Sequence, residues 1–320
     1  MLIDRAVGCL IGSAYGDSLG GAVEFMSTGS IRASYGEGGI THLDNVFGLP
    51  PGSITDDTQM AIATADGIID AGTHLCDLDK VTFAIWQSYL RWLDTQSQPD
   101  QSRAPGNTCL SALQTGRMGT INKPLNGSAG CGAIMRAHPA GLCTTSNGLA
   151  FELGQASGAI THGGVNGYAP AGFLAALVSR LMAGTSLYTA LSETIEQMMS
   201  QSIFSIGILE RAFVAPREGD LAAVIDNEVG GGGGWRGHDA LAISLYAVLC
   251  AIDDPLLAVQ IAVNHSGDSD STGAITGAIM GAAYGVGAFD DALKQQSVVL
   301  EHDQYLRYLA EGLVSIREGG

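Results

Sequence analysis

Small and apolar residues recur at helical spacing along most of the chain, whereas the alternating β-branched residues of half-buried strands are scarce. No strand–helix–strand rhythm appears, so an α/β sheet is not expected. We expect an all-α fold, a compact single-domain helical bundle spanning residues 1–320. The pattern predicts helices over residues 2–22, 56–71, 78–95, 107–116, 149–161, 168–183, 187–199, 239–251, 255–263, 271–285 and 302–316.

Two of the predicted helices carry glycine at every fourth position, in the segments GCLIGSAYGDSLG (from residue 8) and GAITGAIMGAAYG (from residue 273). Each glycine costs a helix about 1 kcal/mol relative to alanine, so the spacing indicates a face on which another backbone packs closely. The same spacing occurs between transmembrane helices. However, the uncharged run from Ser271 to Phe289 is short for a span, and Asp17 interrupts the first segment. We favour a soluble core and no membrane partner.

The composition is that of a globular protein, with 46% hydrophobic and 15% charged residues. The formal net charge is −17, and a surface this acidic repels nucleic acid and anionic lipid, so neither is an expected partner. Six cysteines show no C-x-x-C pair or zinc-finger spacing. The N-terminus MLIDRAVGCLIG lacks the basic head and cleavage site of a signal peptide. These features favour a reduced, cytoplasmic setting.

Acidic residues cluster at two predicted helix starts. Thr55, Asp56 and Asp57 open one helix, and Asp268, Asp270 and Ser271 lead into a glycine-rich one. Each cluster alone is compatible with ordinary helix capping. Together they form a set of hard oxygen ligands that suits Mg²⁺, Mn²⁺ or Ca²⁺ rather than zinc. Without cations, carboxylates sharing one site would repel each other and their pKa values would rise.

The glycine-rich lead-in also has a geometric interpretation. If Asp268 and Asp270 lie in a non-helical segment, alternate side chains point the same way and both carboxylates face one site before the helix begins. The close-packed glycine helix would then hold them rigidly against the helix start at Thr55.

The segments TDDTQM, GDSDSTGAITGAIMGAAYG and GSAYGDSLGGAVEF closely resemble the ADP-ribosylglycohydrolase family, over residues from about 4 to 285. The resemblance implies an all-α fold of that type with two Mg²⁺ or Mn²⁺ ions between helix ends. It also implies hydrolysis at C1″ of ADP-ribose attached to a protein side chain, with ADP-ribosylated protein as substrate and ADP-ribose as product. The implied metal ligands are Thr55, Asp56, Asp57, Asp268, Asp270 and Ser271, and the implied catalytic residues are Glu24, Asp56, Asp57 and Asp270.

Three further segments carry weaker similarity to the family. NGSAGCGAIMRAHPAGL resembles its diphosphate-cradling loop, which implies ligand contacts for Gly127, Ser128, Gly130, Cys131 and Gly132. Many relatives have asparagine at the position of Cys131. In THGG, His162 matches a histidine near the substrate, although a lone histidine is more often structural. Trp235 resembles a residue near the adenosine and would stack on a base or lie buried; Arg236, His238 and Asp239 beside it depart from the family pattern.

Several functions remain open on the sequence. We favour arginine-linked ADP-ribose, because relatives with chains this short resemble arginine hydrolases and an acidic pocket tolerates a guanidinium leaving group. Serine, polymer or O-acetyl linkages are alternatives, as is a catalytically silent ADP-ribose-binding relative. A phosphohydrolase or a D-x-D glycosyltransferase would also use Mg²⁺, but such glycosyltransferases need the α/β patterning that this chain lacks. Gly232, Gly234 and Gly237 match G-x-G-x-x-G without a preceding strand, so no dinucleotide site is expected.

Overall fold

The structure is a computed structural model that describes residues 1–73, 75–201 and 207–319, and within these ranges it contains α-helices and no β-strand. The helices are α1 (Leu2–Gly21), α2 (Thr28–Tyr35), α3 (Asp56–Ala71), α4 (Leu78–Thr95), α5 (Asn107–Gln114), α6 (Pro139–Leu142), α7 (Asn147–Ala159), α8 (Val165–Met182), α9 (Leu187–Gln201), α10 (Gly207–Val214), α11 (Leu221–Val224), α12 (Gly237–Cys250), α13 (Pro255–Val263), α14 (Ser269–Tyr284), α15 (Gly287–Gln296) and α16 (Asp303–Gly319). The all-α prediction is confirmed.

Every predicted helix is present, and no end is displaced by more than three residues. Hydrophobic periodicity did not find α2, α6, α10, α11 or α15, a 3₁₀ turn at Cys131–Ala133, or a π-helix at Ile225–Val229. The reason is clearest in α2, which buries one residue, Ile31, and in α11, which buries none. Helices this short and this exposed leave no apolar stripe in the sequence.

The two glycine-bearing helices, α1 and α14, pack against each other in antiparallel fashion. The glycines spaced every four residues in α1 and α14 each face a backbone carbonyl of the other helix, so that Gly12 meets Gly277 and Gly16 meets Gly273. A Cβ atom at any of these positions would overlap that carbonyl. Close packing therefore explains the spacing, as predicted.

The remaining helices surround this central pair. α12 and α13 pack on α14, α16 packs on α1, and the α3–α4 and α7–α8 hairpins complete the body. Buried apolar side chains from nearly all of these helices form one hydrophobic cluster. The C-terminal end of α1, the start of α3 and the start of α14 consequently meet at one side of the core.

None of the described helices, taken singly, has the length and apolar character needed to cross a membrane; α14 and α15 meet those criteria only when joined across a 120° bend.

Candidate active site

A cavity of about 310 Å³ opens where these helix ends meet. Its walls bring together most of the predicted site residues, namely Glu24, Asp56, Asp57, Gly130, Cys131, Gly132, His162, Trp235, Asp268, Asp270 and Ser271. Three predicted residues, Thr55, Gly127 and Ser128, are not among its lining residues. A larger cavity of about 510 Å³ beside α2 and α13 contains none of the predicted residues.

The start of α3 is held by hydrogen bonds within the protein. Thr55 is the N-cap, and its hydroxyl accepts the amide N–H of Asp57 at 3.2 Å. The backbone N–H groups of Thr55 and Thr58 donate to the buried carboxylate of Asp17 in α1, each at 3.1 Å. Asp56 accepts from the amide of Gly106 at 3.2 Å. The capping role considered for Thr55 is thus present, and it directs the two carboxylates of α3 into the cavity.

The start of α14 differs from the sequence-based expectation. Asp268 is the N-cap residue and Asp270 lies in the first helical turn, so the idea that both carboxylates precede the helix is wrong. The helix begins two residues earlier than predicted because its close packing on α1 extends to the contact between Gly20 and Ser269. Both carboxylates nevertheless reach the same cavity.

Two loops fix the position of Asp268. Its amide donates to the carbonyl of Gly233 at 2.8 Å, and its Oδ2 accepts from the thiol of Cys131 at 2.6 Å. Its side chain makes no capping hydrogen bond. Cys131 therefore contacts a predicted metal ligand directly, in addition to lying on the glycine loop.

Glu24 completes the acidic cluster from the segment that follows α1. Glu24, Asp268 and Asp270 each offer one carboxylate oxygen, and these oxygens lie within 4.8 Å of one another. Among the described residues, Glu24 Oε2 and Asp57 Oδ2 are buried without a hydrogen-bond partner. Buried polar atoms are normally paired, so these oxygens fit a cation as the missing partner. Oxygen donors of this kind suit a hard divalent ion.

The carboxylates also perturb one another's ionisation. Burial, followed by the charges of Asp270, Asp268 and Asp56, raises the pKa of Glu24 to about 11. Burial and then the charge of Asp270 raise the pKa values of Asp56 and Asp57 well above the ordinary range. The same causes act on Asp268. Without a cation, this cluster would keep several protons that isolated carboxylates release.

The glycine loop forms the opposite wall of the cavity. A Cβ at Gly130 would lie 3.1 Å from Nε2 of His162, and one at Gly132 would lie 3.0 Å from Cε1 of the same ring. The missing side chains thus make room for the imidazole. Ser128 lies behind the loop, where its hydroxyl contacts Thr108 at 3.1 Å and accepts from the amide of Gly130 at 3.3 Å.

Two aromatic rings stand at the mouth. Trp235 is 41% exposed, so the buried-tryptophan interpretation is wrong. Its ring stacks on Phe25, with centroids 5.4 Å apart and an interplanar angle of 17°. Phe25 is 64% exposed and has a φ of +66°, an uncommon backbone conformation for a bulky residue. An amphipathic ligand could contact these faces as it enters.

Sequence reasoning missed three residues that shape the site: Asp17, Phe25 and Asp226. Asp226, in the π-helix, accepts the amide of Ser266 at 2.8 Å and the hydroxyl of Thr28 at 2.6 Å. It thereby ties the segment after Glu24 to the segment before Asp268. Asp17 could have been found as a charged residue within the glycine pattern of α1, and Phe25 by its position next to Glu24. No local feature of the sequence points to Asp226.

Comparisons with known proteins agree with this geometry. The family model described as ADP-ribosylglycohydrolase matches residues 1–319. The chain is 32% identical over 292 residues to the ADP-ribosyl-[dinitrogen reductase] glycohydrolase of Rhodospirillum rubrum, covering 88% of this chain and 86% of that protein. It is 27% identical over 321 residues to the ADP-ribosylarginine hydrolase Tri1 of Serratia proteamaculans, covering 96% and 80%. A solved structure, "ADP-ribosylglycohydrolase-related protein complex", shares the fold with a TM-score of 0.73 at 24% identity, covering 98% of each chain.

Proposed function

Because the chain belongs to the ADP-ribosylglycohydrolase family, we propose that it is a metal-dependent hydrolase that removes ADP-ribose from arginine side chains of modified proteins. The observation that carries the proposal is the convergence of both acidic helix starts and Glu24 on one cavity. The arginine linkage is supported by the Serratia relative, which is named as an ADP-ribosylarginine hydrolase. The acidic cavity also favours a cationic guanidinium over a neutral acceptor.

We assign the metal ligands to the two helix starts. Asp56, Asp57, Asp268 and Asp270 would hold two Mg²⁺ or Mn²⁺ ions, with the hydroxyls of Thr55 and Ser271 completing the set. The Thr55 hydroxyl already accepts the Asp57 amide at 3.2 Å, which leaves one lone pair for an ion. The bound ions would supply Lewis-acid polarisation of the distal ribose hydroxyls and of a water molecule.

The chain's own residues would then carry the reaction. Glu24 lies beside Asp270 at the cavity wall. With cations offsetting the neighbouring negative charges that raise its pKa, its carboxylate would be ionised and would accept a proton from the attacking water. The water oxygen bonds to C1″, the bond from C1″ to the arginine nitrogen breaks, and the released guanidine takes up a proton. The cluster of carboxylates stabilises the positive charge that develops on the sugar.

The glycine loop and the aromatic mouth would bind the rest of the nucleotide. We assign Gly127, Ser128, Gly130, Cys131 and Gly132 to the diphosphate end, where Gly127 and Ser128 support the loop from outside the cavity. His162 adds a side chain on the same wall. We assign Trp235 to the adenosine end, which its exposed ring, stacked on Phe25, supports.

A linkage assay tests the proposal. Proteins carrying arginine-, serine- or polymer-linked ADP-ribose, and O-acetyl-ADP-ribose, are incubated with the protein plus Mg²⁺ or Mn²⁺, or plus chelator, and free ADP-ribose is quantified by chromatography. We expect rapid release from the arginine-linked substrate, abolished by chelator. Release from serine-linked substrate alone would contradict the linkage, and binding of ADP-ribose without release from any substrate would contradict catalysis.

A further inference from the structure

Arg136 is a buried cation with an unusual set of partners. Its side chain is fully buried, and among the described residues no carboxylate forms an ion pair with it. The guanidinium instead lies 4.2 Å from the ring centroid of Tyr89, and Nη1 lies 3.0 Å from the sulfur of Met60. A buried charge ordinarily needs a charged partner. Without such a partner, the positive charge of the Arg136 guanidinium acts on the groups around it.

Two contacts of Arg136 remain: a long one from Nη1 to the sulfur of Cys109, at 3.8 Å, and one that leads to the cavity. Its Nη2 donates to the hydroxyl oxygen of Thr161 at 2.6 Å, and that hydroxyl lies 2.9 Å from Nδ1 of His162. Arginine can only donate, so the Thr161 oxygen is an acceptor here and its own proton is available to another group. The nearby acceptors are His162 Nδ1 and the sulfur of Cys109. A thiol sulfur is a weak acceptor, so the hydroxyl donates to the imidazole.

This arrangement determines where the imidazole proton resides. If Nδ1 accepts from Thr161, the single proton of a neutral ring is on Nε2. The ring is neutral because burial, followed by the charge of Arg136, lowers the pKa of His162 to about 3. Nε2 lies at the cavity wall beside Gly130, and it has no hydrogen-bond acceptor among the described residues. The cavity therefore contains a fixed donor backed by a buried positive charge.

We propose that Arg136 and Thr161 are positioning residues that hold His162 as its neutral Nε2–H tautomer, so that it donates a hydrogen bond to an anionic oxygen seated at the glycine loop. Identifying that anion as the diphosphate of ADP-ribose rests on the proposed function. A donor fixed before binding stabilises an anion without reorganisation, and the uncompensated guanidinium behind it adds attraction.

The tautomer is tested by NMR of the full-length protein with ¹⁵N-labelled histidine. Long-range ¹H–¹⁵N spectra distinguish the two tautomers, and the His162 signals are identified by their loss in His162→Gln. We expect Nε2–H in the wild type, a shift toward Nδ1–H in Thr161→Val, and a return to Nε2–H in Thr161→Ser. A wild-type Nδ1–H ring, or a Thr161→Val spectrum identical to the wild type, would overturn the proposal.

Thr276→Val is a matched control, because Thr276 is a buried threonine of α14 whose hydroxyl has no partner among the described residues. It should leave the His162 signals unchanged. If Thr161→Val does not fold, the wild-type tautomer and the Thr161→Ser spectrum still decide the assignment.

Calorimetric titration with ADP-ribose in the presence of Mg²⁺ tests the anion. We expect about tenfold weaker binding in Thr161→Val, the size of one lost hydrogen bond to a charged group, and binding within about twofold of wild type in Thr161→Ser and Thr276→Val. Equal affinity in Thr161→Val would overturn the contact with the anion. A wild-type protein that carries the Nε2–H tautomer but binds no ADP-ribose would contradict the proposed function and support the tautomer assignment.

Discussion

The two helices that carry the acidic residues begin in different ways. At the start of α3, polar groups fix the backbone: Thr55 caps the Asp57 amide, and Asp17 accepts the N–H groups of Thr55 and Thr58. At the start of α14, the Asp268 side chain makes no capping bond, and backbone packing against α1 continues up to Ser269. The start of α3 is thus capped by side-chain hydrogen bonds, whereas the start of α14 has no side-chain cap and relies on close glycine packing against α1 and on the bonds of Asp268 to two loops.

This difference has a functional consequence. A helix start that needs no side-chain cap leaves Asp268 Oδ2 with the Cys131 thiol and Asp270 Oδ1 with the Ser271 amide, so that the other carboxylate oxygens can serve another partner, while a rigid glycine contact keeps their backbone in place. On the α3 side, Thr55 and Asp17 do the capping, so that Asp57 keeps an unpaired oxygen. Both helix starts therefore leave carboxylate oxygens for a ligand, but substitutions at the two starts should affect stability differently.

The largest effect is expected at Asp270, the carboxylate whose charge raises the pKa values of Glu24, Asp56 and Asp57. Asp270→Asn should abolish Mg²⁺ or Mn²⁺ binding in calorimetry and reduce turnover at least about 1,000-fold, equivalent to about 4 kcal/mol. The free energy of unfolding of the metal-free protein should not fall, because a repulsive charge is removed.

Asp291→Asn, on the exposed face of α15, is the control for Asp270→Asn and should retain wild-type metal affinity and turnover. Wild-type metal affinity together with wild-type turnover in Asp270→Asn would contradict the metal assignment and return the α14 carboxylates to capping alone.

The packing of α14 should be the next most sensitive feature. In Gly277→Ala, the added methyl overlaps the carbonyl of Gly12, and no flexible side chain can move aside. We expect a loss of about 3 kcal/mol in the free energy of unfolding, measured with denaturant. Gly287→Ala is the matched control, because a Cβ there meets nothing within 4 Å. Equal stability of the two variants would show that α1 and α14 are not in close contact.

The sequence predicted the parts of this comparison that depend on local spacing. Glycine at every fourth position predicted the α1–α14 contact, and paired aspartates at helix starts predicted the acidic cavity. It did not predict the role of Asp17, whose partner Thr55 is 38 residues away, or that of Asp226, whose partner Ser266 is 40 residues away. Such pairings arise from the tertiary fold and leave no periodic signal. The exposed helix α2 was missed for the related reason that it buries a single residue.

Asp17 provides the corresponding test on the α3 side. Asp17→Asn keeps the shape but presents an amide donor to backbone N–H groups that need an acceptor, so we expect a loss of about 2 kcal/mol in the free energy of unfolding. Metal affinity should fall as well, because the start of α3 loses its anchor. Asp94→Asn, an exposed aspartate of α4, should change neither quantity. Unaltered stability in Asp17→Asn would mean that the cap at Thr55 suffices.

The carboxylate cluster also predicts a pH dependence that metal should remove. Burial, followed by the charge of Asp270, raises the pKa of Asp17 to about 7, above its unfolded value. The folded metal-free protein therefore retains protons that the unfolded chain has released. This contribution to stability should be complete below the unfolded pKa of about 4 and should be lost as the pH rises toward 7, by about 1.4 kcal/mol per pH unit for each retained proton.

Saturating Mg²⁺ is the control for this profile, because ionised carboxylates bind the ion and the slope between about pH 5 and about pH 7 should flatten. Denaturant unfolding at several pH values, with chelator or with Mg²⁺, measures both curves. A metal-free stability that rises with pH in this window would contradict the raised pKa values.

The smallest expected change in stability comes from Thr55→Ala, and it compares the capping of the two helix starts most directly. Thr55→Ala removes the hydroxyl that accepts the Asp57 amide, and loss of an N-cap of this kind costs about 1 kcal/mol of unfolding free energy. Asp268→Asn should cost little in the metal-free protein, since the Asp268 side chain makes no capping bond and the amide oxygen of asparagine can still accept from the Cys131 thiol. Thr55→Ser keeps the hydroxyl and should restore the stability. If Thr55 is also a metal ligand, Thr55→Ala will weaken Mg²⁺ binding, measured by calorimetry, by a larger free energy than it removes from folding. If Thr55 only caps the helix, Thr55→Ala will lower the free energy of unfolding and leave metal affinity unchanged. Equal destabilisation by Thr55→Ala and Asp268→Asn would show that both starts depend on a cap, and the contrast between them would fail.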